Sequence, residues 1–398
     1  MKKILTENPY FYLDQDSNAS DIFSTNLHKR LGDSFFFFNW DYNVPNIPDL
    51  DLFQYFSTKL LRKAQNRKAA LIFNWEVEGF DPLPYFRILK YNCDKYNIDY
   101  DVVLYITSNL LDKDTCSSFF KRSNIRFKII SYLHFFVKAR NANRVYHENL
   151  EPSLDTSDVN AMWEHHVNDF KTRYKKDKIV SSLSRINRIH RTFANYILTT
   201  SAIQKFCLMS QNKITKESKV ELRELLVHTV GSNREILDSK IDAWNDTLPL
   251  TIDRDDFQRN WAHTPEHTNT INAHISNSVL FQIINETSVD PRAIFFSEKT
   301  ANSIAAFQPF VIYGNRGINN IMKKYGFVLY DEVFDYSFDT IENPYKRYMA
   351  LVNMVIPIVI KLSKKSIDEQ IAFRLSLKDK LIYNYNVMLN YDPTKPLF

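Results

Sequence analysis

KIVSSLSRINRIHRTFANYILTTSA, residues 178–202, carries the turn on which the fold depends. Residues 178–184 read as a strand. The loop that follows bears Arg185 and Arg188. Residues 188–202 then place apolar side chains at helical spacing, with His190 and Arg191 near the helix start. The same strand-to-helix rhythm runs upstream. FFFFN at 35–39 suits a buried strand, and residues 51–68 suit an amphipathic helix. AALIFNW (69–75), DVVLYIT (101–107) and RFKIISYL (126–133) are strands, with helices expected over 82–96 and 112–122. Downstream, the pattern predicts a helix over 216–227, a strand at 277–284, a helix over 298–307, a strand at 309–314 and a helix over 318–325. Long helices are expected over 343–362 and 366–382. Strands alternating with helices at this spacing predict parallel sheets.

The expected architecture is α/β, with two Rossmann-like lobes, a central cleft and C-terminal helices. Its parts are residues 1–170, 171–345 and 346–398, and the polar stretch 140–175 is expected to pass between the lobes. Folds of this kind bind ligands at the C-terminal ends of their strands.

Composition narrows the function classes. The 398 residues include only six glycines, where ordinary usage of about 7% would give roughly 28. No G-x-G-x-x-G, Walker-type loop or G-x-S-x-G elbow is present, so a bound phosphate must be met by side chains and helix N-termini. Three separated cysteines form no metal pair or disulfide framework, which suits a reducing compartment. The N-terminal residues lack the apolar core of a secretory signal. The longest apolar stretch, 349–362, is too short to span a bilayer, so a cytoplasmic chain without a membrane span is expected. The net charge of +5 favours an anionic partner only weakly.

Two constellations carry candidate chemistry. SSLSRINRIHR (181–191) gathers Arg185, Arg188 and Arg191 around one helix start, where free N–H groups and the dipole already favour an anion. Arginine forks match phosphate oxygens. The plain alternative is a solvated basic turn. FFSEKTANSIAAFQPFVIYGNRG (295–317) places Ser297 or Thr300 as a helix cap, Glu298 and Lys299 in the first turn, and Gly314 after a strand. Glu286 ends the strand before it. The plain alternative here is a capped helix with surface charges.

Together these motifs resemble phage and bacterial glycosyltransferase-like proteins with a fucosyltransferase-like C-terminal lobe of the GT-B type. The likeness covers roughly residues 178–347, and more weakly 69–110. It rests on Arg185, Arg188, His190, Arg191, Glu286, Glu298, Lys299, Thr300, Pro309, Phe310, Gly314, Gly326, Phe327, Asp331, Glu332 and Asp335. The chain departs from the family pattern at Ser184 and Ser297, and at Leu329, Tyr330 and Phe334.

The resemblance implies a C-terminal lobe that binds a nucleotide-diphosphate sugar. Arg185, Arg188, Arg191 and Lys299 would meet the diphosphate, and Glu298 would hold the ribose. His190 would touch phosphate or cap the helix. Ser297, Thr300, Glu286 and Gly314 would support the site. No cofactor or metal is required. Arg191→Ala or Glu298→Ala is expected to lower activity by roughly tenfold or more, with no change in melting temperature.

An inverting transferase also needs a base for the acceptor hydroxyl. Glu78, in the acidic loop after the 69–75 strand, is the first candidate, and Asp41, just after 35–40, the second. The phage resemblance, with the basic faces, implies as favoured acceptor a hydroxymethylated pyrimidine, 5-hydroxymethylcytosine, in duplex phage DNA, with glucose or a pentose such as arabinose as the sugar. Transfer to a surface glycan or lipid-linked sugar is the rival. A non-catalytic nucleic-acid binder on the same scaffold is the third reading, favoured by the modest basic bias and the unsettled base; the basic segments 59–68, 121–138 and 171–178 suit a nucleic-acid surface or, as the plain alternative, solvated helix faces. His165-His166 and His263/His267 have no cysteine partner, and Pro265 interrupts the second pair, so a zinc site is not expected.

Overall fold

The computed structural model describes residues 11–12, 35–40, 47–75, 83–110, 122, 128–131, 133, 135–136, 158–184, 187–231, 233–250, 273–291 and 294–391. The chain divides into two compact units. Unit 1 takes Met1–Ala142, Asp290–Phe296 and Asp392–Phe398, and unit 2 takes Asn143–Val289 and Ser297–Tyr391.

Unit 1 contains β1 (Phe11–Tyr12), β2 (Phe35–Trp40), α1 (Thr58–Gln65), β3 (Ala70–Trp75), α2 (Leu83–Lys95), β4 (Val103–Thr107) and β5 (Lys128–Ser131). Strands β2 to β5 are parallel and lie side by side in chain order; β1 adds to β2 antiparallel. Ile72 sits in register between Phe37 and Leu104. Every residue of β4 is buried, the pattern of a parallel strand covered on both faces. The Ser57 side chain caps α1 by accepting from Leu60 N at 3.2 Å, and α1 buries Leu60 and Ala64. From α2, Phe86, Ile88, Leu89 and Cys93 join the core around Phe53, whose ring stacks 4.7 Å from Phe56 and 5.9 Å from Phe73. Asn92 is buried but satisfied: it accepts from Phe53 N at 2.8 Å and donates to the Leu50 and Ile88 carbonyls. Segment 290–296 belongs to this unit. Leu110 N donates to Ile294 O at 2.7 Å, and Phe295 and Phe296 pack edge-on against Phe135 and Phe136.

Unit 2 contains α3 (Val159–Arg173), β6 (Val180–Leu183), α4 (Ile189–Thr199), β7 (Cys207–Ser210), α5 (Lys216–Val230), α6 (Arg234–Asp246) and β8 (Phe281–Asn285). After these come α7 (Glu298–Ala305), β9 (Phe310–Tyr313), α8 (Ile318–Lys324), α9 (Pro344–Ser363), α10 (Ile367–Leu375) and α11 (Lys378–Leu389). Its sheet is parallel, in the order β7-β6-β8-β9. The chain therefore steps from β6 to one side, then returns past it to the other. This reversal between β6 and β8 is a topological switch point.

Three expectations change. Within the polar stretch 140–175, residues 159–173 form α3, which packs within unit 2. Trp163 and His166 lie edge-on to Phe307 at 5.6 and 5.1 Å, so the first boundary falls at 142 and not 170. The C-terminal helices are likewise part of unit 2 and not a third region. Phe193 of α4 packs on Tyr345 and Tyr348 of α9, and Phe307 stacks on Tyr385 of α11 at 4.5 Å. The helix expected over 366–382 breaks after Leu375, where Leu377 is buried at the turn. The 112–121 part of the expected 112–122 helix lies outside the described residues.

Candidate functional site

The switch point in unit 2 is where the two motif clusters meet. Arg188, the N-cap residue of α4, makes no side-chain cap; its Nη1 reaches out instead to donate to Thr287 O at 3.0 Å. His190 Nε2 lies 3.0 Å from Glu286 O, and Arg191 donates from Nε to the same carbonyl at 3.2 Å and from Nη2 to Thr287 Oγ1 at 3.3 Å. One turn of α4 thus pins the exit of β8, about a hundred residues away in sequence. His190 is 5% exposed, and burial pulls its pKa down to about 4, with the neighbouring Arg191 and Arg188 charges acting in the same direction. A neutral imidazole facing a carbonyl carries its proton on Nε2. His190 therefore neither caps α4 nor presents a positive charge to a phosphate in this state.

Glu286 is the hub. Its side chain is fully buried, and its carboxylate accepts from Ser297 N at 3.1–3.2 Å and from Thr300 Oγ1 at 2.5 Å, fastening β8 to the start of α7. Burial raises its pKa; the Lys299 charge and the hydrogen bonds from Thr300 and Ser297 oppose this. Gly314 is needed beside it. A Cβ there would stand 2.9 Å from Ile318 Cδ1 and 3.1 Å from Glu286 Cβ, so the requirement is close approach and not a left-handed backbone.

Ser297 caps α7, accepting from Lys299 N at 3.3 Å. Glu298 and Lys299 pair at 2.5 Å with roughly a quarter and a fifth of their side-chain surfaces exposed, 26% and 20%. Burial alone would raise Glu298, but the Lys299 ammonium and its hydrogen bond outweigh that. With Arg191 assisting, they hold the carboxyl below its usual range. Arg188, Arg191, Glu286, Glu298 and Lys299 therefore share one locus. Arg185, Glu78 and Asp41 lie outside the described residues, as do His263 and His267.

A buried polar ladder beneath the site was not legible as such in the sequence. Asn285 Nδ2 donates to Ser182 Oγ (2.9 Å) and Ser184 Oγ (3.1 Å). Ser182 bonds Asn195 Oδ1, and Asn195 Nδ2 donates to Ser210 O and Gln211 Oε1. This ties the C-terminal ends of β6, β7 and β8 to α4. The available signal was S-S-x-S in a strand that would otherwise be apolar. Arg347 of α9 was also missed; it is 1% exposed and donates to Gly314 O.

Elsewhere on unit 2, an open groove of about 630 Å³ is lined by Ile356, Pro357, Ile360, Lys361, Lys364, Lys365 and Glu369, and includes no switch-point residue. No cluster of three potential metal ligands occurs among the described residues. Nor, among them, is any helix long and apolar enough to cross a membrane.

No family model and no curated protein matches the chain. Among solved structures, the N-terminal domain of Candida albicans trehalose-6-phosphate phosphatase is similar over 96% of this chain and 82% of that one, at 10% identity and a TM-score of 0.36. A likeness this distant supports no statement about fold or activity.

Proposed function

We propose that the chain is a glycosyltransferase that takes a sugar from a nucleotide-diphosphate donor, with the donor at the β6–β8 switch point. The observation that carries this reading is the convergence of the 188–191 turn and the Glu298-Lys299 pair around Glu286. A helix start flanked by guanidinium and ammonium groups suits a diphosphate, and a first-turn carboxylate with exposed surface suits ribose hydroxyls.

The geometry sharpens the roles. Arg191 and His190 are buried against the Glu286 carbonyl, so they set the position and field of the site, whereas Arg188 is half-buried and binds the Thr287 carbonyl through Nη1. Arg188, at the mouth of the turn, and Lys299 are assigned to the diphosphate, together with Arg185. As the glycosidic bond breaks, negative charge grows on the leaving diphosphate, and cations held in place stabilise it without reorganising. This chemistry asks for no cofactor. The acceptor is proposed to be a hydroxymethylated pyrimidine in duplex DNA, taken out of the base stack for transfer, with Glu78 or Asp41 removing the hydroxyl proton.

Thermal-shift measurement with uridine, guanosine, adenosine and cytidine diphosphate sugars tests the donor site, and no shift with any of them would sink it. Incubation with labelled donor and either 5-hydroxymethylcytosine DNA or ordinary DNA tests the acceptor. Label confined to the modified DNA is expected, and its absence from both removes the DNA acceptor.

A further inference from the structure

Arg347 presents an anomaly. It is among the largest fully buried side chains of the chain, and burial lowers its pKa. Among the described residues it makes no ion pair within 4 Å, although the Asp339 carboxylate lies in electrostatic range, and its Nε has no partner there. The Tyr313 and Tyr348 hydroxyls are also buried without a partner there, with their rings 4.6 Å apart and Tyr313 in electrostatic range of Arg347. A buried guanidinium with one N–H unmet is a costly way to fill a core, and an apolar side chain of similar length would pack there without that cost.

What the guanidinium does is hold carbonyls. Nη1 donates to Ile341 O at 2.6 Å and Glu342 O at 3.1 Å; Nη2 donates to Gly314 O at 2.7 Å. Gly314 is the residue whose Cα lies against Glu286, so closely that a Cβ would come within 3.1 Å of it. Glu286 in turn holds Ser297 N and Thr300 Oγ1, and its own carbonyl receives His190 and Arg191. A continuous path therefore runs from α9 through the end of β9 to the first turn of α7 and the start of α4.

We infer that Arg347 is a positioning residue: by holding Gly314 O it presses the end of β9 against Glu286 and so fixes the Ser297-Glu298-Lys299 turn. The ligand consequence rests on the donor reading above; the mechanical coupling does not.

The test uses the full chain with Arg347→Met, Arg347→Lys, Glu286→Gln and the two double variants. Hydrogen exchange is read on peptides spanning residues 295–301, with α5 as the internal reference. Ser297 N–H is held by Glu286, so exchange there is expected to speed roughly tenfold in Arg347→Met, less in Arg347→Lys, and similarly in Glu286→Gln. The double variants should exchange no faster than Glu286→Gln, because both changes act through one latch. Protection of 295–301 unchanged in both Arg347 variants, or effects that simply add, would overturn the inference. If Arg347→Met does not fold, Arg347→Lys against Glu286→Gln decides alone.

A second arm measures the thermal shift produced by uridine diphosphate glucose and guanosine diphosphate mannose. Arg347→Lys is expected to need several-fold more nucleotide sugar than wild type for the same shift. If wild type responds to neither sugar, it is the donor reading that is in difficulty, and the exchange arm still decides the coupling. If wild type responds and Arg347→Lys responds identically, the ligand consequence fails.

Discussion

Acidification should loosen this chain through His190. The imidazole is 5% exposed, donates to Glu286 O, and lies beside the Arg188 and Arg191 charges; burial is the largest cause of its low pKa of about 4. In the unfolded chain a histidine titrates near 6.5. The folded value is therefore depressed by about 2.5 units, which at ~1.4 kcal/mol per unit is roughly 3 kcal/mol, with little solvent screening to reduce it. The sign follows from proton binding. Above about pH 6.5 both states are neutral and the contribution is complete. As pH falls from there towards about 4, the unfolded chain binds a proton that the folded chain does not, and stability is lost.

Glu286 works in the opposite sense. Its raised pKa contributes stability below its unfolded value that is lost as pH rises through the folded one. A wild-type profile alone would mix the two, so the assay is urea denaturation from about pH 8 to 4 on wild type and His190→Gln in parallel. Glutamine keeps a donor for the Glu286 carbonyl but does not titrate. Wild type should lose roughly 3 kcal/mol more than the variant across the window. Parallel decline of the two proteins, or a His190 resonance titrating near 6.5 in the folded state, would refute the reasoning.

Gly314→Ala should lower the urea midpoint by an amount corresponding to about 1–3 kcal/mol, the usual range for an overpacked core, with the slope unchanged. Ile318 Cδ1 can swing away, but Glu286 is clamped on the other side. A wild-type midpoint would show that the close approach does not matter. Glu298→Gln should leave stability within about 0.5 kcal/mol, because the Lys299 pair is partly solvated. It should cut sugar transfer about tenfold or more, and full activity would remove Glu298 from the site. Arg191→Ala should lose both activity and stability. The carbonyl of Glu286 and the hydroxyl of Thr287 each lose a buried donor, at about 1–3 kcal/mol. The geometry thus replaces the expectation of an unchanged melting temperature, and a wild-type value would restore it.

Local pattern was enough for most of the elements. β3, β4 and β9 are short apolar runs with turn signals beside them, and the burial of β4 and β9 on both faces follows from parallel packing. A cap at Ser297 or Thr300 and the first-turn position of Glu298 were also readable, because capping involves residues two or three apart; the structure gives the cap to Ser297. β7 and α6 escaped notice. β7 has four residues and no alternation of its own, and it becomes a strand only by pairing with β6.

What only the tertiary structure decided is the direction in which the motif side chains act. Sequence brought Arg191, His190 and Glu286 into one candidate site but could not say whether they faced a ligand or one another. They face one another, because the order β7-β6-β8-β9 sets the start of α4 against the exit of β8, where a buried carbonyl needs donors. Gly314 followed the same course. Six glycines in 398 residues excluded glycine-rich phosphate loops from composition alone. That one of them lies in contact with Glu286 depends on two strands adjacent in space and separate in sequence. Composition and periodicity determine which elements form, since both are short-range; the partner of a buried charge is set by strand order, which no local window contains.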